Sequence, residues 1–173
     1  MRSIRARLTV RGFKDRDRAD IDRYSGTSTI SSHKLIVSEA VRHGWPICTA
    51  DISKAFLQGV TYEELAAITG DPVREVNFYL PASNIALLKQ LPGFEDFDPV
   101  LEVLHCDKPG TGLVGAPRAF SIKLKDVTEN KCSMQSSLID SELCARHEHG
   151  RLTALMTKHV DDLNNTGESE RVK

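Results

Sequence analysis

Three aspartates stand where short apolar segments end. Asp51 closes the segment Ile47–Ala50, and Asp161 and Asp162 follow the segment 151–160. If these segments are neighbouring strands, Asp51 and Asp161 converge. Converging carboxylates repel one another unless a cation neutralises them, and Mg²⁺ prefers such hard oxygen ligands. Two Mg²⁺ ions about 4 Å apart can hold the attacking and leaving oxygens of a phosphoryl transfer. Taken alone, an Asp-Asp pair also fits the simple start of a turn.

The first 18 residues form a basic arm, with seven arginine or lysine residues against two aspartates. Apolar and mostly basic positions alternate along it: Ile4, Ala6, Leu8 and Val10 against Arg5, Arg7, Thr9 and Arg11. The alternation predicts a strand with one buried face and one row of guanidinium groups. Such a row suits the phosphates of a nucleotide or nucleic acid, whereas the simpler interpretation is a solvated basic strand.

A glycine-rich segment, Lys108–Pro117, contains three glycines and two prolines. Glycines at this density let the backbone approach a ligand or another chain closely. Pro117 suits the first turn of a helix, which apolar residues continue to Val127.

The remaining pattern predicts strands with helices interspersed irregularly. In the first half we expect a helix capped by Ser31 or Ser32 and ended by Gly44, a strand at 47–52, a turn into a short helix at 53–57, a second short helix within 59–74, and a strand at 76–80. In the second half we expect a short helix at 85–89, a strand at 100–105, a hairpin of 141–146 and 151–160 around Glu148-His149-Gly150, and a return strand at 163–167. This order favours an α+β layer over a doubly wound parallel sheet.

The composition is that of a globular protein, with 40% apolar and 27% charged residues. No segment reaches the roughly 20 apolar residues of a membrane helix and no signal core begins the chain, so we expect an intracellular location and no membrane partner. Four cysteines without C-x-x-C spacing are expected to be reduced and mostly buried. Cys144, His147 and His149 lack a fourth zinc ligand and are interpreted as a solvated hairpin tip.

The order of these motifs resembles the reverse transcriptase domain of copia-type retrotransposons. The stretch Arg5–Phe13 is similar to the family's K-A-R-L-V-A-R-G-F, and Asp51–Gly59 is similar to its D-V-K-T-A-F-L-N-G. Thr111–Phe120 looks like its Y-G-L-K-Q-A-P-R-A-W, and His159–Asp162 looks like its Y-V-D-D. The four matches occur in the family's order and span almost the whole chain.

The resemblance implies an RNA-directed DNA polymerase core with fingers and palm, an antiparallel palm sheet packed on helices, and residues 1–173 as a partial domain. It implies two Mg²⁺ ions, or Mn²⁺, held by Asp51, Asp161 and Asp162, with Asp162 in a supporting role. Arg7, helped by Arg5, would lie over the triphosphate of an incoming dNTP. The resemblance further implies that Phe56 would lie against the sugar, although it could also be a core phenylalanine. Thr111 and Gly112 would lie near the nucleotide and the template.

Some positions depart from the family pattern. Lys158 and His159 stand where apolar and tyrosine residues are usual, and would either perturb the site or reach outward. Only 11 residues follow Asp162, so the resemblance implies that the thumb is missing. It also implies that the other parts of the polyprotein, which are missing here, would be partners of this chain. We therefore expect weak binding of a primed RNA or DNA template and little processive synthesis.

Two other functions fit the same residues. One is an inactive transposon-derived remnant that only binds nucleic acid. The other is a different two-metal phosphotransferase, such as a nuclease, although the glycine-rich segment and Phe56 have no obvious use in one.

Overall fold

A five-stranded antiparallel sheet forms the centre of the protein. The computed structural model describes residues 9–168. The sheet has the strand order β1-β7-β6-β5-β4. Its strands are β1 (Ile47–Asp51), β4 (Gln135–Ser136), β5 (Leu143–Glu148), β6 (Arg151–His159) and β7 (Asp162–Gly167). A separate two-stranded sheet pairs β2 (Asn77–Phe78) with β3 (Leu104–His105).

The hairpin between β5 and β6 confirms the predicted turn. His149 and Gly150 both have positive φ, 51° and 76°, and this pair of left-handed residues is the pattern of a type I′ turn, whose twist matches that of the strands. The return strand β7 is also confirmed, although its sequence Asp-Leu-Asn-Asn-Thr-Gly is poor in strand formers. Its pairing with β1 on one side and β6 on the other supplies what local propensity does not.

Helix α1 (Ile30–His43) lies against β6 and β7. Ile36 and Ala40, one turn apart, are buried. Its end at Gly44 is confirmed, since Gly44 adopts the left-handed conformation with φ 66°. The predicted cap at Ser31 or Ser32 is wrong, because Thr29 is the extended residue whose side chain accepts the Ser32 amide. Ser32 is inside the first turn and hydrogen-bonds to Asp140 instead.

Three further helices are α2 (Tyr62–Thr69), α3 (Ala82–Leu88) and α4 (Ala116–Asp126). The helix α2 begins at a capping box, in which Thr61 and Glu64 satisfy each other's backbone amides, and ends at Gly70. Helix α4 has proline near its start, as predicted, and continues into a π-helical turn at Val127–Lys131. Single 3₁₀ turns lie at Gly12–Lys14 and Ala55–Gln58, the second confirming the predicted short helix after Asp51.

The predicted strands at 76–80 and 100–105 are mostly wrong. Each is reduced to two residues, those of β2 and β3. Tyr79 is 80% exposed and Leu101 is 82% exposed. Alternating residues need a neighbouring strand and a surface to cover, and a two-stranded sheet offers little of either.

The main apolar cluster lies on the sheet and contains Met134, Cys144, Ala154 and Met156, with Leu163 packed against it. The four cysteines are free, as expected, but the expectation that most are buried is wrong. Only Cys144 is buried, because it lies on the inner strand β5, whereas Cys48 lies on the edge strand β1 and Cys132 is exposed. His147 and His149 are exposed near the predicted hairpin tip. Within residues 9–168 no helix is long and apolar enough to cross a membrane.

Candidate functional site

Asp51 and Asp162 are direct neighbours across two strands. The antiparallel register of β1 and β7 places Asp51 opposite Asp162. The amide of Ile52 donates to the carbonyl of Asp161 at 3.0 Å, so the Asp51–Asp162 pair is of the non-hydrogen-bonded kind, with Cα atoms about 4.5 Å apart. The side chains of such a pair leave the same face of the sheet. Two motifs far apart in sequence therefore meet at one sheet end.

Asp161 lies in the turn that joins β6 to β7. His159 pairs with Asp162, which leaves Val160 and Asp161 as a two-residue connection. Val160 has φ 57°, a left-handed conformation that is rare for a β-branched residue and costs about 1–3 kcal/mol. Strain of this kind concentrates at functional turns. The resemblance implied Asp161 as the main partner of Asp51, whereas the register brings Asp162 directly opposite and Asp161 beside it.

The donor set at this sheet end fits a hard divalent cation in part. Asp51 and Asp162 are both exposed, and like charges directly opposite each other destabilise a strand pair. Carboxylate oxygens are the ligands that Mg²⁺ and Mn²⁺ take from proteins. Among the described residues no three His, Cys, Asp or Glu side chains are arranged to hold one ion together. A cation at this position would be held first by the Asp51–Asp162 pair.

Replacing Asp162 with asparagine should stabilise the cation-free protein slightly. The change removes the repulsion with Asp51, and we expect a gain of about 0.5 kcal/mol in the free energy of unfolding at low salt. A cation held by the pair should raise the melting temperature of the unchanged protein when Mn²⁺ is added, and Asp162→Asn should abolish that rise. Thermal unfolding across a Mn²⁺ titration measures both effects.

Asp96→Asn is the matched control, since Asp96 is equally exposed but lies away from the aspartate pair in sequence. It should leave the Mn²⁺ response unchanged. An Asp162→Asn protein that still responds to Mn²⁺ like the unchanged protein would contradict the assignment.

The chain after Asp51 is fixed against helix α4. Phe56 is half-buried, and its ring meets that of Phe120 edge to face at a centroid distance of 6.4 Å. Gly59 lies so close to Ala119 that an added Cβ would be 3.1 Å from the Ala119 carbonyl carbon. Phe56 thus has one ring contact with the core and lies five residues after Asp51 in sequence.

Thr111 and Gly112 contact the basic arm of the same chain. The amide of Val10 donates to the carbonyl of Thr111 at 3.0 Å. Gly12 and Gly112 cross so closely that a Cβ on either would overlap the carbonyl oxygen of the other segment. The close approach predicted for the glycine-rich segment is therefore made by the arm. Sequence reasoning gave Gly12 no role, although Gly12 is the glycine of the matched stretch Arg5–Phe13.

The glycine-rich segment also reaches the chain that follows Asp51. A Cβ built on Gly110 would lie 3.5 Å from a terminal carbon of Leu57. The arm, the glycine-rich segment and the residues after Asp51 are thus neighbours in space. Arg5 and Arg7, with most of the predicted arm strand, lie outside the described residues. Thr9 and Val10 are not part of a strand.

Lys158 does not take part in the aspartate site. It is 3% exposed, and its Nζ lies 3.3 Å from the Glu142 carboxylate, which is also buried. His159, the next residue, is exposed at the edge of the turn. Alternation along β6 separates the two side chains, so Lys158 belongs to the core below the turn.

Comparison with known proteins gives two curated relatives. The retrovirus-related Pol polyprotein from transposon RE2 of Arabidopsis thaliana is 28% identical over 164 residues, and that from transposon RE1 is 27% identical over the same length. The chain is similar to transposon Pol polyproteins. Each match covers 94% of this chain and 10% of the relative, so the similarity supports a transposon-derived origin for one segment of such a polyprotein. No protein-family model and no solved structure matches the chain.

Proposed function

We propose that the chain is the fingers-and-palm part of an RNA-directed DNA polymerase from a copia-type retrotransposon. It would transfer a nucleotide from a dNTP to the 3′-hydroxyl of a primer on an RNA or DNA template. The observation that carries this proposal is the pairing of Asp51 with Asp162 in β1 and β7, with Asp161 in the adjoining turn. The similarity to transposon Pol polyproteins supports the transposon-derived origin that this proposal assumes.

The proposal gives each described site residue a role. Asp51, Asp161 and Asp162 would hold two Mg²⁺ ions, or Mn²⁺, which when bound activate the 3′-hydroxyl and stabilise the leaving pyrophosphate. Phe56, held by Phe120, would limit the space beside the sugar. The backbone at Thr111 and Gly112 would lie along the nucleotide, with Arg7 and Arg5 of the arm on the triphosphate. Positioning and charge neutralisation would supply the rate, with no covalent step by the protein.

The described part of the arm presents positive charge outward. Arg74 binds Asp15 through Nη2 at 2.9 and 3.0 Å, and the same nitrogen is 3.4 Å from Asp17. Both carboxylates of the arm are therefore paired with one guanidinium from another segment, which offsets half of their negative charge. Arg11, Lys14 and Arg16 remain exposed, and such a surface attracts phosphates through counterion release.

Replacing Asp161 with asparagine should lower the rate of single-nucleotide incorporation at least about 100-fold and leave template binding unchanged. The asparagine keeps the shape of the turn and removes one cation ligand. Extension of a labelled primer–template by one nucleotide in the presence of Mg²⁺ or Mn²⁺ measures incorporation. Fluorescence anisotropy of the same primer–template measures binding. Asp96→Asn again serves as the control and should match the unchanged protein.

The two readouts separate the alternatives. Template binding without incorporation in the unchanged protein, together with no Mn²⁺ response, would replace the polymerase proposal by a non-catalytic nucleic-acid-binding remnant. Cleavage of the labelled strand that requires Asp161 would instead favour a two-metal nuclease.

A further inference from the structure

A cavity lies apart from the aspartate pair. It has a volume of about 380 Å³, opens to solvent, and is lined by the segment 17–22, helix α2, the segment 71–74 and the start of helix α4. This volume falls in the range of small-molecule sites and is too small for a folded partner. Its apolar walls come from Ile21, Leu65, Ala66, Pro72 and Pro109. Neither Asp51 nor Asp162 lines it.

The charges around this cavity leave an excess of carboxylates. Two arginines line it, but each already has an acidic partner: Arg74 binds Asp15 and Asp17, and Arg118 has its Nε 3.3 Å from Asp22. Asp20 and Asp71 also line the cavity and are exposed, and no ion pair within residues 9–168 involves either of them. An apolar chamber whose free charges are negative complements an organic cation.

One buried hydrogen-bond donor beside the cavity, the Tyr62 hydroxyl, lacks an acceptor. The Tyr62 side chain lines the cavity and is 4% exposed, and its hydroxyl has no partner among the described residues. Burial raises the pKa of Tyr62 to about 12, although the nearby Arg74 acts in the opposite direction. The hydroxyl is thus protonated at neutral pH and can donate. An unsatisfied buried donor is unfavourable, and a bound acceptor would remove that cost.

We propose that this cavity binds a small organic cation that carries an aromatic or apolar body and one hydrogen-bond acceptor. The body would fill the space beside Leu65 and Ala66, and the cationic end would face Asp20 and Asp71. The acceptor would take a hydrogen bond from the buried Tyr62 hydroxyl, which would turn toward the cavity to donate it. Both ends of the glycine-rich segment, at Pro109 and Gly115, belong to the cavity wall. A ligand there would therefore tie helix α2 to the segment that carries Thr111 and Gly112. Nothing in this inference requires polymerase activity.

Three matched probes test the chemistry in an NMR titration of the whole chain. Tyramine has the ring, the ammonium group and a phenolic oxygen; 4-(2-hydroxyethyl)phenol lacks the charge; phenethylamine lacks the phenolic oxygen. We expect saturable binding of tyramine with a Kd of ~1 mM, as for a ligand of this size. We expect roughly fivefold weaker binding of each other probe. No saturable binding of tyramine at about ten times that concentration would overturn the proposal.

Variants then locate the site. Ala66→Phe fills the cavity and should abolish tyramine binding, whereas Ala67→Phe, on the next and exposed position of α2, should not change it. The double change Asp20→Asn and Asp71→Asn should remove the preference for tyramine over its uncharged analogue, and Tyr62→Phe should remove the preference over phenethylamine. Binding that survives Ala66→Phe would place the ligand elsewhere and overturn the assignment.

Discussion

Replacing Lys158 with methionine should lower the free energy of unfolding by about 3–5 kcal/mol, the usual effect of removing one partner of a buried ion pair. The Lys158 and Glu142 side chains are 4% and 10% exposed, with nitrogen and oxygen 3.3 Å apart. Methionine fills a similar volume but leaves the Glu142 carboxylate without its cation. Urea unfolding followed by circular dichroism measures the loss.

The surroundings of Glu142 explain why it cannot relax into water. A Cβ on Gly26 would overlap the Glu142 carboxylate, so that segment covers it closely. Backbone hydrogen bonds join the same segments. The Lys158 amide donates to the Glu142 carbonyl and the Ser28 amide donates to the Lys158 carbonyl, each at 3.0 Å. The neighbouring Asp140 carboxylate accepts hydrogen bonds from the Ser32 hydroxyl and the Thr29 amide at the start of α1. Although partial burial acts to raise the pKa of Asp140, these hydrogen bonds lower it.

A double variant distinguishes loss of the pair from loss of packing. With Glu142→Met added to Lys158→Met, both charges are gone, and stability should return to within about 1 kcal/mol of the unchanged protein. Arg42→Met is the control for an exposed pair, because Arg42 is 72% exposed beside Glu39, and should cost less than about 0.5 kcal/mol. A double variant as unstable as the sum of the two single changes would contradict a role for the ion pair.

Lys158 also shows where sequence reasoning fails. The local sequence does not show whether a lysine side chain in an apolar strand faces the core or the solvent. The partner of Lys158, Glu142, lies 16 residues earlier, on the far side of a hairpin. Turns and helix ends were predicted correctly where one or two residues decide the backbone, as at Gly44 and at His149-Gly150. The short strands β2 and β3 were overestimated, because alternation does not show whether a neighbouring strand exists.

The candidate site was predictable to the level of its motifs. Two apolar segments that each end in aspartate predict convergence, and the structure places Asp51 opposite Asp162 and beside the Val160–Asp161 turn. The register of β1 against β7 decides which aspartate lies directly opposite Asp51. This register depends on pairing across 110 residues of intervening chain. The cavity beside Tyr62 was not predictable, since four separate segments line it and none carries a motif.

Replacing Gly112 with alanine should destabilise the protein by about 2–4 kcal/mol and release the basic arm from the glycine-rich segment. Two effects combine at this residue. Gly112 has φ 95°, a conformation that costs a residue with a Cβ about 1 kcal/mol or more. An added Cβ would also overlap the Val10 carbonyl oxygen, and forced overpacking costs about 1–3 kcal/mol. Urea unfolding gives the total, and limited trypsin digestion at Arg11, Lys14 and Arg16 reports release of the arm.

Two other glycines separate these effects. Gly93 has φ 87° and open space around its Cβ position, so Gly93→Ala measures the conformational cost alone and should leave trypsin cleavage of the arm unchanged. Gly12 faces the same crossing without a positive φ, so Gly12→Ala measures the overlap alone and should expose the arm to trypsin as Gly112→Ala does. If Gly12→Ala and Gly93→Ala have equal effects on trypsin cleavage, the crossing does not hold the arm. Because the crossing joins the arm to Thr111, its loss should also weaken template binding in the anisotropy assay while the Mn²⁺ response at Asp51 and Asp162 stays intact.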